Sequence, residues 1–343
     1  MGLLDEIRRF HTGTHAMAYV NSSGKRVATL PAELLGDSGG MIAEIEILRS
    51  DLVRILHSAT SNDAAYRFDD SITSINQQDS GVEVTFEHAA PQRFDLVVGA
   101  DGLRSNVRRL AFGPDAEFLQ DQGYSQAIFG MPNQTNLDGW ELMHTAPPGR
   151  MAGIYPLAGR DEARAMLFFT SPPTPYERRN VEQQKQLVAQ RFKGVGWEVP
   201  RMLEALWPAD DFYFAQASKV SMPHWSNGRT VLLGDAAYGG SVGMGTSMAL
   251  VGAYVLAGEL ASADGDYQRA FERYEQEMRD YVAMNLRPLP GGTRAFLPQT
   301  PFEAWLRDQL MCLLPYLPFK AAMSGNFQKA ANAITLKDYS KIQ

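Results

Sequence analysis

The period of the apolar residues changes several times along the chain, and those changes divide it. From Met1 to Phe10, Leu3, Leu4 and Ile7 fall on one face of a helix. Residues His15 to Pro31 alternate on either side of Asn21-Ser-Ser-Gly24, a turn composition, and predict a hairpin. A helix is expected from Arg49-Ser50-Asp51, with Leu52, Ile55 and Leu56 as its apolar stripe. Strand-like runs follow around Ala65–Phe68, Ser71–Asn76 and Gly81–His88, with Asp79-Ser-Gly81 as a hairpin turn. The apolar run Phe94-Asp-Leu-Val-Val-Gly-Ala100 has the character of a parallel strand buried on both faces. Ser105-Asn-Val-Arg-Arg-Leu110 begins the helix after it.

From about Ala116 to Met222 the texture changes. Prolines become frequent (Pro132, Pro147, Pro148, Pro156, Pro172, Pro173, Pro175), and strand-like runs appear at Met151–Tyr155 and Ala165–Thr170, with a helical block over Glu182–Phe192. Nucleotide-fold texture returns at Thr230–Gly234, followed by an apolar helix to Leu260 and a helix charged on one face over Asp266–Asn285. Arg287-Pro-Leu-Pro-Gly-Gly292 breaks it. The expected organisation is therefore a nucleotide-binding domain in two parts, residues 1–115 and 223–290. A β-rich domain, residues 116–222, is inserted between them, and C-terminal helices, residues 291–343, close the chain.

Composition narrows the partners. A net charge of −7 over 343 residues argues against nucleic acid or an anionic membrane surface. The single cysteine, Cys312, fits a reducing compartment, and no basic-then-apolar leader opens the chain, so a cytoplasmic protein, monomer or homodimer, is expected. No stretch reaches the roughly 18 consecutive apolar residues of a membrane span. Leu310-Met-Cys-Leu-Leu-Pro-Tyr-Leu-Pro-Phe319 is broken by two prolines and reads as a buried or dimer-facing helix. The six histidines have no metal-ligand spacing, and no Gly-x-Ser-x-Gly elbow supports a hydrolase triad. Trp140, Met143, Met151, Phe168 and Phe169 could line an aromatic pocket in the inserted domain, although plain core is the commoner use of such residues.

Two acidic turns carry the chemistry. In Gly228-Arg-Thr-Val-Leu-Leu-Gly-Asp-Ala-Ala-Tyr238, Val231, Leu232 and Leu233 form a doubly buried strand, with Asp235 just past the strand's carboxyl end, where open α/β sheets bind ligands. There a carboxylate can accept hydrogen bonds from sugar or ribityl hydroxyls. Gly234 makes the turn, and Gly243-Met-Gly245 lets a ring or phosphate approach the backbone. Thr246 or Ser247 can cap the next helix, whose positive end suits an anion. Gly99-Ala-Asp-Gly-Leu-Arg-Ser-Asn-Val-Arg108 repeats the logic with Asp101, Gly102 and a capping serine. Taken alone, the Asp235 turn can equally be a strand-to-helix turn with a capping aspartate, and for Asp101 alone the capping explanation is the favoured one.

Together, in this order and separated by a proline-rich sheet domain, the two motifs resemble the FAD-dependent aromatic hydroxylases. These are the para-hydroxybenzoate hydroxylase-like flavoprotein monooxygenases, which include tetracycline-inactivating enzymes. The resemblance covers nearly the whole chain. It implies an α/β fold: an FAD-binding Rossmann-like domain of the glutathione reductase type, interrupted by a β-sheet substrate domain and followed by C-terminal helices. It implies FAD as cofactor, NAD(P)H as co-substrate, and O2. An aromatic or polycyclic small molecule would be hydroxylated through a flavin C4a-hydroperoxide. Asp235 would contact the ribityl and pyrophosphate region, Asp101-Gly102 would serve FAD and transiently NADPH, and Arg49, opening its helix, would reach the FAD. No catalytic side chain is assigned, because the flavin carries the chemistry.

The chain departs from that pattern twice. The strand, Gly-x-Gly-x-x-Gly turn and helix that normally open the family are absent, and Met1-Gly-Leu-Leu-Asp-Glu-Ile resembles the helix after that unit. The expectation is an incomplete chain, or failing that a shortened protein with weakened FAD affinity, and in either case exposed apolar sheet edges. Tyr238 stands where the family often has histidine, and Tyr238-Gly-Gly-Ser-Val242 leads directly into Gly243 in a shortened turn. The alternative functions are a non-catalytic relative that binds ligand without productive FAD binding, or a flavin-dependent oxidoreductase of other chemistry.

Overall fold

The computed structural model describes residues 2–31, 45–135, 137–172, 180–241, 243–287, 291–313 and 329–340. The chain forms two compact units. The first comprises Met1–Ala64, Gln122–Ala217 and Pro288–Gln328, and the second Ala65–Asp121, Ser218–Arg287 and Lys329–Gln343.

In chain order, the elements begin with α1 (Leu4–Arg9), β1 (Ala16–Val20), β2 (Arg26–Pro31) and α2 (Arg49–Thr60). Next come β3 (Ile72–Gln78), β4 (Gly81–Phe86), β5 (Gln92–Phe94), β6 (Val97–Gly99), α3 (Asn106–Ala111) and α4 (Asp115–Phe118). They are followed by β7 (Leu119–Pro132), β8 (Trp140–Thr145), β9 (Arg150–Pro156), β10 (Glu162–Thr170), α5 (Val181–Phe192), α6 (Val199–Leu206) and β11 (Tyr213–Val220). The remainder is β12 (Ser226–Asn227), β13 (Thr230–Leu232), α7 (Asp235–Tyr238), α8 (Gly245–Ala261), α9 (Tyr267–Asn285), α10 (Gly292–Phe296) and α11 (Pro301–Leu313).

The first unit is built on a seven-stranded sheet in the order β11-β7-β10-β9-β8-β1-β2. The hairpin expected at His15–Pro31 forms, with Asn21 Oδ1 accepting the Ser23 and Lys25 amides at its turn. It does not stay with the segment that follows it. All five residues of β1 are buried, so the strand needs cover on both faces and partners on both edges. It finds the second partner in β8, parallel to it from Ala16↔Trp140 to Val20↔His144. The compact units thus divide the chain differently from the four expected segments.

Strict alternation in β10 sorts the two faces. Ala163, Ala165, Leu167 and Phe169 pack under Val188 and Phe192 of α5 and Met202 of α6. Met166 and Phe168 lie on the opposite face with Met17, Tyr19, Met143 and Met151. The five residues singled out for an aromatic pocket are therefore split. Phe169 and Trp140 belong to the helix-covered core, whereas Met143, Met151 and Phe168 share the other face, because neighbours along a strand point to opposite sides.

The second unit holds two small sheets, β3-β4-β5 and β12-β13-β6. No strand forms at Ala65–Phe68. Asp69 turns the chain at φ 54°, Asp70 accepts the Ser71, His88 and Ala89 amides, and Phe68 is left 74% exposed beside the Tyr66 ring. The run at Phe94–Ala100 gives a three-residue strand, parallel to β13 at the end of its sheet. Expected to be buried on both faces, it is buried on one: Val97 is buried while Val98 is 44% exposed. On the packed side a Cβ at Gly99 would lie 2.8 Å from both Leu232 and Val107, so glycine is what lets α3 close onto the strands.

The apolar composition of α8 does not bury it on every side: Ala253, Tyr254 and Ala257 are exposed. Its buried side carries Met248, Gly252, Val255 and Leu256, and also Glu259, held by Lys337 and Tyr339. In the first unit, Leu310 and Leu313 are exposed at 56% and 54%, while the rest of the Leu310–Phe319 run lies outside the described residues, as do 288–290 and Val242. Among the described residues no helix is long and apolar enough to cross a membrane.

Candidate functional site

Strand β13 is fully buried, and its ladder with β6 is extended by the Leu233 amide, which donates to the Gly99 carbonyl at 2.9 Å. The chain then turns through Gly234 at φ 63°, ψ −139°, a conformation that a side chain would strain; a Cβ there would also press on Ala249 at 3.2 Å. That turn sets Asp235, half-buried, at the start of the one-turn helix α7 and at the carboxyl end of the parallel pair.

Helix α8 begins at Gly245. Its cap residue, Met244, offers no side-chain acceptor, and Thr246 and Ser247, expected as caps, lie inside the helix. The reason is the local geometry: the helix starts two to three residues earlier than those hydroxyls could serve. Its leading amides are left without a side-chain cap at the positive end of a seventeen-residue helix. A Cβ at Gly245 would stand 3.6 Å from Asp235 Oδ1, so bare backbone and carboxylate face each other across a gap that a side chain would narrow. Gly243, exposed and at φ 84°, completes the bare segment. Carboxylate, uncapped amides and missing side chains together suit the hydroxyl-rich, anionic chain of a dinucleotide.

The Asp101 turn is arranged differently. Its carboxylate accepts the Ser105 hydroxyl, the Asn106 amide at 2.7 Å and the Val107 amide at 3.0 Å. Ser105 in turn caps α3 by accepting the Arg108 amide at 2.9 Å, as its sequence position indicated. Of the roughly four acceptor positions of a carboxylate, three serve the protein's own turn. Gly102, at φ 84°, has no atom within 4 Å of where a Cβ would be, so its role is conformational.

One residue was read only as part of a motif. Arg108 is completely buried, and it joins the two turns. Its Nη1 donates to the Ala236 carbonyl at 2.9 Å, and its Nη2 donates to the Leu103 carbonyl at 2.9 Å and to Asp115 at 2.8 Å. The available signal was its place as the last residue of the Asp-Gly motif, with an acid seven residues on. Tyr238, in the position often held by histidine, points into the core. Its hydroxyl lies 3.2 Å from that of Tyr274, its ring lies tilted against Trp225 with centroids 4.8 Å apart, and burial pushes its phenol pKa up.

Asp101, Gly102, Gly234, Asp235, Gly243 and Gly245 all lie in the second unit, where Gly245 meets Asp235 and Arg108 links the Asp101 turn to the Asp235 turn. Arg49 lies in the first unit as the leading residue of α2, exposed, with its guanidinium carbon 5.5 Å from the Tyr213 ring centroid.

Parallel strand, left-handed glycine, carboxylate and uncapped helix make this turn the candidate nucleotide-cofactor site on an α/β scaffold. The comparisons give that class its family. The model of the FAD binding domain matches residues 1–287. An uncharacterized protein of Mycobacterium tuberculosis is 41% identical over 316 residues, covering 88% of this chain and 82% of that protein. A flavin-dependent monooxygenase of Legionella longbeachae is 36% identical over 287 residues, covering 83% of this chain and 73% of that enzyme. The crystal structure of tetracycline destructase Tet(51) matches with a TM-score of 0.79 and 29% identity, over 99% of this chain and 84% of that one. The chain belongs to the para hydroxybenzoate hydroxylase-like family of FAD-dependent monooxygenases. It is an oxidoreductase with FAD as cofactor, and its relatives imply a small-molecule substrate and O2.

Proposed function

We propose that this enzyme uses NAD(P)H and O2 to hydroxylate an aromatic or polycyclic small molecule. The observation that carries the reading is the Asp235 turn, where the carboxylate faces bare backbone at Gly245 beside the uncapped start of α8. In this reading Asp235 accepts hydrogen bonds from the ribityl and pyrophosphate region, while the amides at Gly245 and the turn at Gly243 receive negative charge. Gly234 holds Asp235 in place. The Asp101-Gly102 turn serves FAD and NADPH through the backbone it positions, and Arg49 reaches FAD from the start of α2. When bound, FAD would supply the redox chemistry, passing two electrons from NAD(P)H to O2 so that one oxygen atom enters the substrate and the other leaves as water. The chain's own residues bind, orient and exclude water.

A polycyclic substrate is supported by the likeness to a tetracycline destructase and by the methionine- and phenylalanine-rich sheet face of the first unit. The protein acts in the cytoplasm as a monomer or homodimer. The test is the visible spectrum of purified protein with added FAD. A retained flavin band, with NADPH oxidation stimulated by a polycyclic phenol, is expected; a chain that takes up no flavin would contradict the reading.

A further inference from the structure

A row of polar residues crosses the otherwise apolar face of the first unit's sheet that carries Met143, Met151 and Phe168. Tyr155 on β9 lies opposite Arg164 on β10, and Arg164 opposite Gly130 on β7. On the other side, the ladder of β8 with β9 runs through Leu142↔Ile154, so its next step sets Glu141 beside Tyr155. Cross-strand neighbours share a face, with Cβ atoms about 5 Å apart. At one end of the row Arg164 is claimed by Asp211, which also accepts the Gly130 amide at 2.9 Å.

The other end is not paired in this way. Glu141 is only 9% exposed, and its partner across β1 is Met17. Among the described residues, neither the Glu141 carboxyl nor the Tyr155 hydroxyl makes a protein hydrogen bond. Tyr155 is half-buried, and the oxygens of neither side chain are among the buried polar atoms without a partner, so both are open to an incoming group rather than sealed in the core. The charged and titratable groups around Glu141 are Glu46 before α2 and Tyr19 on β1, with Arg307 and Asp308 of α11 acting on Tyr19. Arg49 and Arg164 act on Tyr155. No cation is paired with Glu141 itself. Burial, reinforced by Glu46, pushes its carboxyl up to about 8, and burial pushes the Tyr155 phenol up to about 12. Both are therefore uncharged O–H donors at neutral pH.

We propose that Glu141 and Tyr155 form a two-donor subsite that recognises an uncharged oxygen acceptor, a ketone or phenol oxygen, on the polycyclic substrate. The inference rests on the functional reading for its substrate class. It adds a specificity element: a polycycle carrying that oxygen is preferred over its oxygen-free counterpart, and a cationic group is not what the site reads. The preference holds while Glu141 is protonated. It fails as pH rises through about 8, when a carboxylate would face the acceptor.

The test uses the FAD-loaded full chain and two probes that do not titrate, 9-fluorenone and fluorene, with binding followed by tryptophan fluorescence at pH 6.5 and 9.0. Fluorenone affinity should fall about tenfold between the two values while fluorene affinity stays level. In Glu141→Gln, whose amide keeps a donor and cannot ionise, fluorenone binding should become pH-independent. Glu141→Leu, which fills the space without a donor, should bind the two probes alike at both pH values. A wild type with no fluorenone binding or no pH effect, or a Glu141→Gln chain that keeps the effect, overturns the proposal. The flavin band recorded in the same samples separates the two ideas: its absence counts against the monooxygenase reading, whereas the pH effect is read from the probes alone.

Discussion

The turns at Asp101 and Asp235 share one motif and put it to different uses. In both, a short parallel strand ends, an acid and a glycine follow, and a helix starts. Asp101 stands four residues before the capping Ser105, a distance that drops its carboxylate onto the Asn106 and Val107 amides. At the second turn the glycine comes first, at φ 63°, and α8 starts only at Gly245, toward which Asp235 Oδ1 is directed. The first carboxylate is occupied in holding its own helix. The second has its Oδ1 beside bare backbone at Gly245, where the proposed reading sets the ligand. The comparison teaches that one acid-and-glycine motif can meet its helix at two different spacings, with different groups brought to the carboxylate.

Substitutions can break or sharpen this contrast. The largest effect is expected at Arg108, whose buried guanidinium ties the Asp101 turn to the Asp235 turn. Arg108→Ala removes the buried donor shared by Asp115 and two carbonyls, and should cost about 3–5 kcal/mol in urea unfolding. A loss under 1 kcal/mol would mean the two turns hold independently. Gly234→Ala meets both a left-handed backbone and the Ala249 contact, and should lower stability by about 2 kcal/mol. Asp101→Ala should cost about 1–2 kcal/mol, the usual worth of a helix cap, with little change in flavin affinity. Gly245→Ala should be the mildest for the fold, within about 0.5 kcal/mol, because 3.6 Å is an ordinary contact. Its flavin affinity, measured by fluorescence quenching, should nonetheless weaken several-fold.

Much of this was legible in the sequence where local periodicity decides the outcome. The hairpin around Asn21–Gly24, the Leu52 and Ile55 stripe of α2, the capping Ser105 and the helix after Asp266 all form as their spacing indicates. What escaped depends on distant partners. Nothing near β1 announces that it will pair with β8, more than a hundred residues on. The run at Ala65–Phe68 has strand composition, but Asp70 captures the neighbouring amides first. For the site, residue types and order were readable, and the family resemblance made them specific. The difference in geometry between the two acidic turns was not, since it rests on φ at Gly234 and on where α8 begins. Arg108 and Glu141 were also missed as working residues, because burial of a charged side chain is a property of the assembled core.

The most direct test compares flavin binding in Asp235→Ala and Asp101→Ala, titrating each purified chain with FAD and following quenching of flavin fluorescence. If the two turns differ as described, Asp235→Ala loses about 30-fold in affinity, the worth of roughly 2 kcal/mol of hydrogen bonding to a charged group, while the melting temperature of the flavin-free chain stays put. Asp101→Ala should show the reverse, with a lower melting temperature and affinity within about threefold of the parent. Equal losses of affinity in the two variants, or a greater loss at Asp101, would contradict the assignment of the binding role to Asp235.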